Sequence, residues 1–349
     1  MKTTDLLRVL ELTKPCISNH ALVPMLSHFC FDSDTVTTFN GVQATIALFN
    51  SGLQCGIPGE VFYKLVSSYA AIEELIVEPK DKEIHIKVGD NIAKLPIISK
   101  EDFIFDLPNT DDLPSFPLTQ DFILGLSKCL MSVSDNPATK NIYGLTLINS
   151  KKEAGIYATD LKTLSKYVLP SLHSKPFKVL LPKLFTSLLT AIGKENEGEL
   201  CLGDDFILVY FSDVLLYTKI QTEIDFLDYE TELKRHIVEN LTFQTRTETF
   251  LPCLSRALIF LSEEIDQFIT VTINKKTLNL FTQSPHGNLK EDVDLEKSLP
   301  NMQFRIDARL LENGLLATKN FTIRQTSEGT VFIGKDDNFL HLVVSPLEE

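Results

Sequence analysis

The feature that most constrains this chain is a threefold repeat of one order of elements: a helix, a group of strands, a second helix and more strands. Apolar residues at helical spacing predict first helices that begin near residues 4, 119 and 249, the second of them over 119–133. Second helices are predicted to begin near residues 58, 182 and 307. Side-chain identity between the copies is low, so the repeat is one of pattern. Units of this length are whole domains rather than the short units of solenoid proteins.

Between the helices, apolar and polar residues alternate with a period of two, which is typical of half-buried strands. The pattern predicts a hairpin-like pair of strands after each first helix, at 268–282 in the third copy, and a meander of three strands after each second helix. The 349 residues therefore indicate an α+β fold of three domains, over residues 1–112, 113–238 and 239–349. The boundaries fall in the proline- and acid-rich stretch 108–117 and near residues 234–241.

Composition narrows the class of protein. The net charge of −14 excludes a generally basic nucleic-acid binder, so any contact with phosphate needs a local arrangement of cations. The six cysteines lie far apart with no CxxC pair, which argues against zinc ligation and against a disulfide framework. The chain has neither a signal-peptide core nor an apolar run of membrane-spanning length. We therefore expect a soluble, cytoplasmic protein that does not contact a membrane.

The sequence contains no catalytic motif: it has no glycine-rich phosphate loop, no GxSxG and no HExxH. Acid pairs occur at 32/34, 111/112, 204/205 and 336/337. A metal-dependent nuclease needs such carboxylates on one cleft, whereas here most lie between strands, where aspartate stabilises turns. We expect no enzymatic activity, no metal and no cofactor, and keep a nuclease as the less favoured alternative.

Five short stretches along the chain have a distinctive pattern. The second third carries a glycine-containing strand, Gly144–Leu147, followed by an Ala-Thr-Asp segment in Ile156–Leu164. The others are a strand entry at Leu22–Leu26, a helix start at Leu180–Lys183, the segment Phe226–Tyr229 and the apolar C-terminal Leu342–Leu347. In the same order, these stretches resemble segments of the bacterial DNA sliding clamp, the beta subunit of DNA polymerase III, in which Phe-Pro-Asp-Tyr stands where this chain has Phe226–Tyr229.

The resemblance implies the DNA clamp fold, in which three repeated two-helix plus β-sheet domains make half of a closed ring, with helices inside and sheets outside. Two head-to-tail subunits would close a homodimeric ring around duplex DNA, without regard to its sequence. The implied function is that of a processivity factor that tethers the replicative DNA polymerase and is served by a clamp loader, in the cytoplasm of a bacterial cell or an infected host. A clamp-derived scaffold that does not encircle DNA is the other alternative.

A DNA-facing lining requires cations on the helices, and the six candidate helices together carry a small positive charge in a chain that is otherwise strongly acidic. Loose contacts with phosphate hold a ring without reading sequence. The residues predicted to contact phosphate are Arg8, His20, Lys64, Lys128, Lys140, Lys183, Lys194, Arg256 and Arg309.

The resemblance also implies a pocket for a short apolar peptide of the polymerase or the loader, between the second and third domains. By motif, its residues are Ile142, Thr159, Leu161, Leu164, Leu227, Val343, Val344, Pro346 and Leu347. Several positions depart from the family: Leu161-Lys162-Thr163 replaces Gly-His-Arg, and Leu227 replaces a proline. Ser345 and Glu348 also replace residues that are usually apolar or basic. These departures indicate a divergent or phage-encoded member with an altered peptide specificity.

Overall fold

The computed structural model describes residues 1–18, 23–72, 74–236, 243–261, 267–326 and 329–346. These residues hold the following α-helices: α1 (Thr3–Thr13), α2 (Gly59–Ser68), α3 (Gln120–Cys129), α4 (Lys183–Gly193), α5 (Tyr229–His236), α6 (Thr247–Leu261) and α7 (Ala308–Ala317). In the described part of the chain, no helix is long and apolar enough to cross a membrane.

The strands, in chain order, are β1 (His28–Asp32), β2 (Thr35–Phe39), β3 (Gln43–Leu48), β4 (Gln54–Pro58), β5 (Ile76–Lys80), β6 (Glu83–Val88), β7 (Asn91–Pro96), β8 (Ile98–Ser99), β9 (Ser115–Leu118), β10 (Gly144–Asn149), β11 (Glu153–Thr159), β12 (Thr163–Pro170), β13 (Phe177–Pro182), β14 (Gly198–Leu202), β15 (Phe206–Tyr210), β16 (Val214–Lys219), β17 (Phe243–Arg246), β18 (Phe268–Ser284), β19 (Gly287–Asp307), β20 (Asn320–Thr326), β21 (Gly329–Lys335) and β22 (Phe339–Pro346).

Each predicted helix overlaps an observed one, but several details of the prediction are wrong. The helix predicted over 119–133 ends at Cys129 and continues only as a 3-10 turn. Pro58 and Pro182 end strands instead of opening helices, because a fixed φ suits a strand end as well as a first helical turn. The hairpin predicted at 268–282 is one long strand, β18, whose register shifts at Lys275 let it continue past a polar stretch. Helix α5 was not predicted.

The chain forms two compact units. Residues 1–120 and 187–222 make unit 1, which contains a nine-stranded sheet of order β8-β4-β1-β2-β3-β16-β15-β14-β9 and a three-stranded sheet β5-β6-β7. Residues 121–186 and 223–349 make unit 2, which contains an eight-stranded sheet of order β13-β10-β11-β12-β22-β21-β20-β17 and the hairpin β18-β19. The division into three domains at 112/113 and 238/239 stays a prediction.

Each large sheet joins strands from two copies of the predicted repeat. In unit 1, β3 of the first copy pairs antiparallel with β16 of the second; we call this pairing the first junction. In unit 2, β12 of the second copy pairs antiparallel with β22 of the third; we call this the second junction. A continuous sheet across each junction leaves no unpaired strand edge there.

The two junctions have the same local geometry, beginning with the tight turn that precedes β3 and β12. Oδ1 of Asn40 accepts hydrogen bonds from the amides two and three residues later, at 3.0 and 2.8 Å. Oδ1 of Asp160 does the same at 2.9 and 2.6 Å. Short polar side chains favour such turns because they satisfy the turn amides locally. The repeat seen as a pattern in the sequence is therefore a repeat of backbone structure.

The main-chain bonds across the junctions also correspond. The amide of Lys219 donates to the carbonyl of Val42 at the first junction, and the amide of Val344 donates to the carbonyl of Lys162 at the second, both at 2.9 Å. The register of β3 against β16 therefore matches that of β12 against β22. Because a slip of one residue would turn every side chain to the other face of the sheet, this register fixes which residues line each junction.

A buried polar cluster lies beneath α7 at the second junction. His341 of β22 contacts the hydroxyl of Ser165 through Nδ1 at 2.8 Å, and the hydroxyls of Ser165 and Ser132 lie 2.8 Å apart. Nε2 of His341 is buried and makes no hydrogen bond within the described residues. Gly314 leaves room for the ring, since a Cβ there would come within 2.6 Å of its Cδ2. Burial lowers the pKa of His341 to about 4.

This buried imidazole predicts a loss of stability in mild acid. The folded pKa lies below the ordinary value of 6.5, so the contribution of neutral His341 is fully present above pH 6.5 and is lost as the pH falls toward 4. We expect a loss of about 2 kcal/mol between pH 7 and pH 5 from this group. Urea unfolding of the His341→Gln variant should show a pH dependence shallower by that amount; parallel curves for His341→Gln and the unaltered chain would refute the assignment.

Candidate functional site

A cavity of about 230 Å³ opens at the second junction, between the turn that connects β11 to β12, strand β22 and helix α5. Five of its eleven lining residues are aliphatic, and the others bring three hydroxyls, an ammonium group, a carboxylate and an imidazole. The lining residues are Thr159, Leu161, Lys162, Thr163, Leu164, Leu227, Tyr229, Glu232, His236, Leu342 and Val344. A concave, mostly apolar surface with a few polar groups is typical of a binding site.

The turn at the mouth of the cavity presents an apolar side chain to solvent. Leu161 has a φ of +73°, a left-handed conformation that is costly for any residue with a Cβ. Its side chain is 72% exposed. The hydroxyl of Thr159 supports the turn, accepting from the amide of Leu161 at 3.0 Å and donating to the carbonyl of Thr163 at 2.6 Å. The corresponding residue at the first junction is Gly41, with φ +95°.

Behind the cavity, two aromatic residues are both packed and hydrogen-bonded. The rings of Tyr157 and Tyr229 stack with centroids 5.1 Å apart, over the buried side chains of Leu164 and Leu342. The hydroxyl of Tyr229 bonds the hydroxyl of Thr146 at 3.1 Å. An apolar anchor that entered this site would meet fixed walls, which lowers the entropy lost on binding.

A charged network holds α5 against the sheet. Glu230 accepts from Nζ of Lys166 at 2.6 Å and from the hydroxyl of Tyr157 at 2.7 Å, and these two bonds keep the pKa of Glu230 below its usual value. Both oxygens of Asp228 bond Thr231, at 3.1 and 2.6 Å, and so cap the first turn of the helix. The helix that forms one wall of the cavity is thereby fixed at its N-terminal end.

The cavity brings together five of the nine residues predicted for the pocket: Thr159, Leu161, Leu164, Leu227 and Val344. Ile142 and Val343 do not line the cavity; both are buried elsewhere, and Val343 packs beneath α7. Val343 faces away from the cavity because adjacent residues of a strand point to opposite faces, and Leu342 lines the cavity together with Val344. Leu347 and the side chain of Pro346 lie outside the described residues.

Sequence reasoning missed the wall formed by α5. The cavity is lined by Tyr229, Glu232 and His236 of this helix. In the sequence, only Phe226–Tyr229 is interpreted, as a match to a family motif, and no helix is predicted there. Two signals were present: Asp228 as a helix cap, and the apolar pair Tyr229 and Leu233 spaced four residues apart.

The corresponding place at the first junction is filled by aromatic side chains of the chain itself. Phe105 packs on Phe39 with ring centroids 4.6 Å apart and on Tyr217 at 5.3 Å. Phe39 corresponds to Thr159, and Tyr217 corresponds to Leu342, by the matching registers. Larger rings at these positions close the space that small and aliphatic residues leave open in unit 2.

Most of the cations predicted to contact phosphate are bound to carboxylates of the same chain. Arg8 on α1 contacts Asp213 at 2.7 Å, and Lys64 on α2 contacts Glu60 one helical turn earlier at 2.7 Å. Lys183 at the start of α4 contacts Asp135. Surface pairs of this kind add little stability, but each carboxylate opposes the approach of a phosphate.

The other predicted cations differ in their surroundings. Lys128 on α3 lies 3.0 Å from Asp336, and Arg256 on α6 makes two bonds of 2.5 Å to Glu291. Arg309 on α7 donates to the neutral amide of Gln267 at 2.7 Å. Lys140 and Lys194 are exposed, and His20 lies outside the described residues. The positive surface available to DNA is therefore weaker than the count of cations suggests.

The groups that a nuclease would need are not assembled in the described residues. No cluster of three or more histidine, cysteine, aspartate or glutamate side chains in these ranges has the geometry to hold a metal. The pairs 204/205 and 336/337 lie at or beside the connections between adjacent strands. One carboxylate of the second pair, Asp336, bonds the amide of Lys319 at 3.1 Å and contacts Lys128.

No protein-family model and no curated protein sequence matches the chain. Solved structures do. The DNA polymerase sliding clamp of Bacillus subtilis superposes with a TM-score of 0.83 at 13% identity, covering 100% of this chain and 98% of that one. The chain has the DNA clamp fold. The beta subunit of the DNA polymerase of Streptococcus pyogenes gives 0.81 at 18% identity, with 100% and 99% covered. The DNA polymerase III beta subunit of Thermotoga maritima gives 0.81 at 15%, with 100% and 98% covered.

The clamp fold confirms the α+β prediction over the whole length of the chain. The left-handed turn at Leu161 also gives a physical reason for the glycine that the family resemblance implies at this position, because glycine adopts positive φ without strain. This chain instead holds a leucine there, whose side chain reaches over the cavity.

The turn predicts an unusual substitution, in which removing a side chain stabilises the protein. Leu161→Gly should raise the free energy of unfolding by about 0.5–1 kcal/mol, because relief of the left-handed strain exceeds the added chain entropy. Urea denaturation would measure the change. The reciprocal control is Gly41→Leu at the first junction, which should destabilise unit 1. A Leu161→Gly variant less stable than the unaltered chain would contradict the strain argument.

Proposed function

We propose that this protein is a DNA sliding clamp: a non-catalytic processivity factor that encircles duplex DNA and tethers a DNA polymerase. The observation that carries the proposal is the superposition of the whole chain on bacterial clamps, combined with an open apolar cavity at the junction of the second and third copies. A topological link needs only weak, sequence-independent contacts with phosphate, which agrees with an acidic chain whose helix cations are mostly paired.

We propose that two copies close the ring head to tail through one further junction of the same kind. Among the described residues, β19 forms strand pairs only with β18, and β7 only with β6. Strand β19 follows a two-residue turn, as β3 and β12 do. Strand β7 also follows a two-residue turn, which begins at Gly89, as β16 and β22 follow theirs. Pairing β19 with β7 of a second copy gives every copy of the repeat the same neighbour and removes two exposed edges.

The two existing junctions predict the register of this third one. Ala47 pairs with Val214 at the first junction and Tyr167 with Phe339 at the second. Ala47 and Tyr167 each lie four residues after the residue that closes the preceding turn, and in β19 this position is held by Glu291. Val214 and Phe339 are the first residues of their strands, as Asn91 is of β7. Glu291 is therefore expected opposite Asn91 of the second copy, which places Leu289 opposite Ala93.

The proline in β7 supports this choice of edge. The amide of Ile97 donates to the carbonyl of Lys82 on the β6 side, at 3.0 Å. Because alternate residues of a strand direct their amides to opposite neighbours, Pro96 has its missing N–H on the free side. A proline there ends the ladder of hydrogen bonds and blocks its indefinite extension. Asn91–Leu95 remains available to pair with β19.

A cross-link would test the register. Thr45 and Leu216 form a non-hydrogen-bonded pair at the first junction, with Lys219 bonded to Val42 beside it, and such pairs have close Cα atoms. The corresponding pair is Ala93 and Leu289. We expect Ala93→Cys/Leu289→Cys to form an inter-subunit disulfide on mild oxidation, seen as a dimer on a non-reducing gel.

The matched control is Ala93→Cys/Lys290→Cys, one residue out of register, which should cross-link poorly. The native cysteines interfere little, because all six are buried and burial raises the pKa of every thiol. Equal cross-linking by both variants, or none by either, would count against the proposed register.

We propose that the cavity receives a short, mostly apolar peptide of the polymerase, and that a clamp loader uses the same place. Burying two anchor side chains there would contribute about 1.5–3 kcal/mol each, which is roughly half of the ~8 kcal/mol that a micromolar complex needs, so contacts along the rest of the peptide would supply the remainder. Removing the side chain of Leu161 or Val344 should weaken partner binding without unfolding the protein, because neither side chain is fully buried. A deletion from Val343 onward is a poor test, because it removes half of β22.

Topological retention on DNA would test the clamp itself. The Ala93→Cys/Leu289→Cys protein is mixed with nicked circular DNA and then oxidised, so that rings close around the circle without a loader. We expect the closed rings to stay with the circle in 1 M NaCl during gel filtration and to leave it once a restriction enzyme linearises the DNA. Leu161→Gly in the same background should be retained equally, yet should lose most of the stimulation of the cognate polymerase.

Other outcomes would identify the alternatives. Salt-sensitive binding that does not depend on circularity is the result for a scaffold that does not encircle DNA. Cleavage of the circle in the presence of a divalent metal, lost on substitution of Asp204 and Asp336, is the result for a nuclease.

A further inference from the structure

The first two junctions share an ion pair that crosses from a helix to a turn. Arg8 lies on α1 two residues after the buried Leu6 and contacts Asp213, 2.7 Å away in the turn before β16. Lys128 lies on α3 two residues after the buried Leu126 and contacts Asp336, 3.0 Å away in the turn before β22. In both units, the first helix of one copy is thus tied to the last turn of the next copy.

The third copy has the cation but not the crossing partner. Arg256 lies on α6 two residues after the buried Leu254 and ten residues after the end of β17, so it corresponds to Lys128, which lies ten residues after the end of β9. It bonds Glu291 of its own hairpin instead, with two contacts of 2.5 Å. These bonds hold the pKa of Glu291 below its usual value. The corresponding residues at the other junctions are Ala47 and Tyr167, neither of which is acidic.

The turn that would face Arg256 in a closed ring does carry an acid. Asp90 is exposed in the two-residue turn before β7, at the position that Asp213 occupies before β16. By the register of the first two junctions, a second copy paired along β19 would bring its own Asp90 to the end of β19 that contains Glu291. The side chain of Arg256 is half exposed, so it is free to reorient.

We propose that Arg256 exchanges partners when the ring closes, moving from Glu291 of its own chain to Asp90 of a second copy. This inference rests on the ring proposed above and assigns a residue pair to its closing contact. While β19 is unpaired, Glu291 neutralises Arg256. Once a second copy is paired along β19, Glu291 competes with Asp90 of that copy for the arginine. One exposed ion pair replaces another of similar strength, so the exchange changes the free energy of closure little. The paired strands then hold the closed ring, and the ion pair adds little to the barrier against reopening.

A double-mutant cycle on self-association tests the exchange, measured by sedimentation equilibrium of the full chain at low salt. Asp90→Asn should raise the dissociation constant about two- to fivefold for each junction, and should have no further effect in an Arg256→Gln background. Glu291→Gln should leave association unchanged or a few-fold tighter, because it releases Arg256 to the second copy. Asp81→Asn, at the other turn of the same three-stranded sheet, is the control for loss of one negative charge.

The outcomes separate the two proposals. Failure of the unaltered chain to self-associate would overturn the ring and this exchange together. Normal association, with equal effects of Asp90→Asn in the Arg256 and Arg256→Gln backgrounds, would overturn the exchange alone. Weaker association on Glu291→Gln would also overturn it, because Glu291 would then support the contact instead of competing with it.

Discussion

The pairing of a strand from one copy of the repeat with the last strand of the next copy is the interaction on which the rest of the structure depends. It occurs as β3 with β16 and as β12 with β22, with the same turn before it and the same main-chain bond at its end. Main-chain bonds of this kind are indifferent to side-chain identity. The three copies are therefore free to diverge in sequence while the junction keeps its register, which explains how a chain below 20% identity to solved clamps keeps their fold.

Because the junctions are built alike, the differences between them are informative. At the first junction, Phe39, Phe105 and Tyr217 pack together and fill the space beside the strands. At the second, a threonine and a leucine replace two of these rings, and a helix, α5, forms the opposite wall. One backbone arrangement thus yields a closed core in one unit and an open cavity in the other, and the choice is made by side-chain volume.

The positive charges on the helices are also largely neutralised within the chain. The helices carry the cations, yet Arg8, Lys128 and Arg256 each bond a carboxylate. Such pairs bind the cations only weakly and keep the surface close to neutral. For a protein held on DNA by a closed ring, strong phosphate binding would oppose sliding, so partial neutralisation agrees with the proposed function. Two of these pairs, Arg8 with Asp213 and Lys128 with Asp336, also cross the junctions at which one copy meets the next.

The sequence by itself determined the repeat, the six helices that recur with it, the fold class and five residues of the cavity, because each depends on local periodicity or on a short motif. Only the tertiary structure decided the remainder. The separation of Val343 from Val344 depends on which face of β22 meets the core, and Leu342 reaches the cavity for the same reason. Helix α5 is short, and its packing on Tyr157 stabilises it. The carboxylates that neutralise Arg8 and Lys128 lie more than two hundred positions away along the chain, a distance that only strand pairing between copies can close.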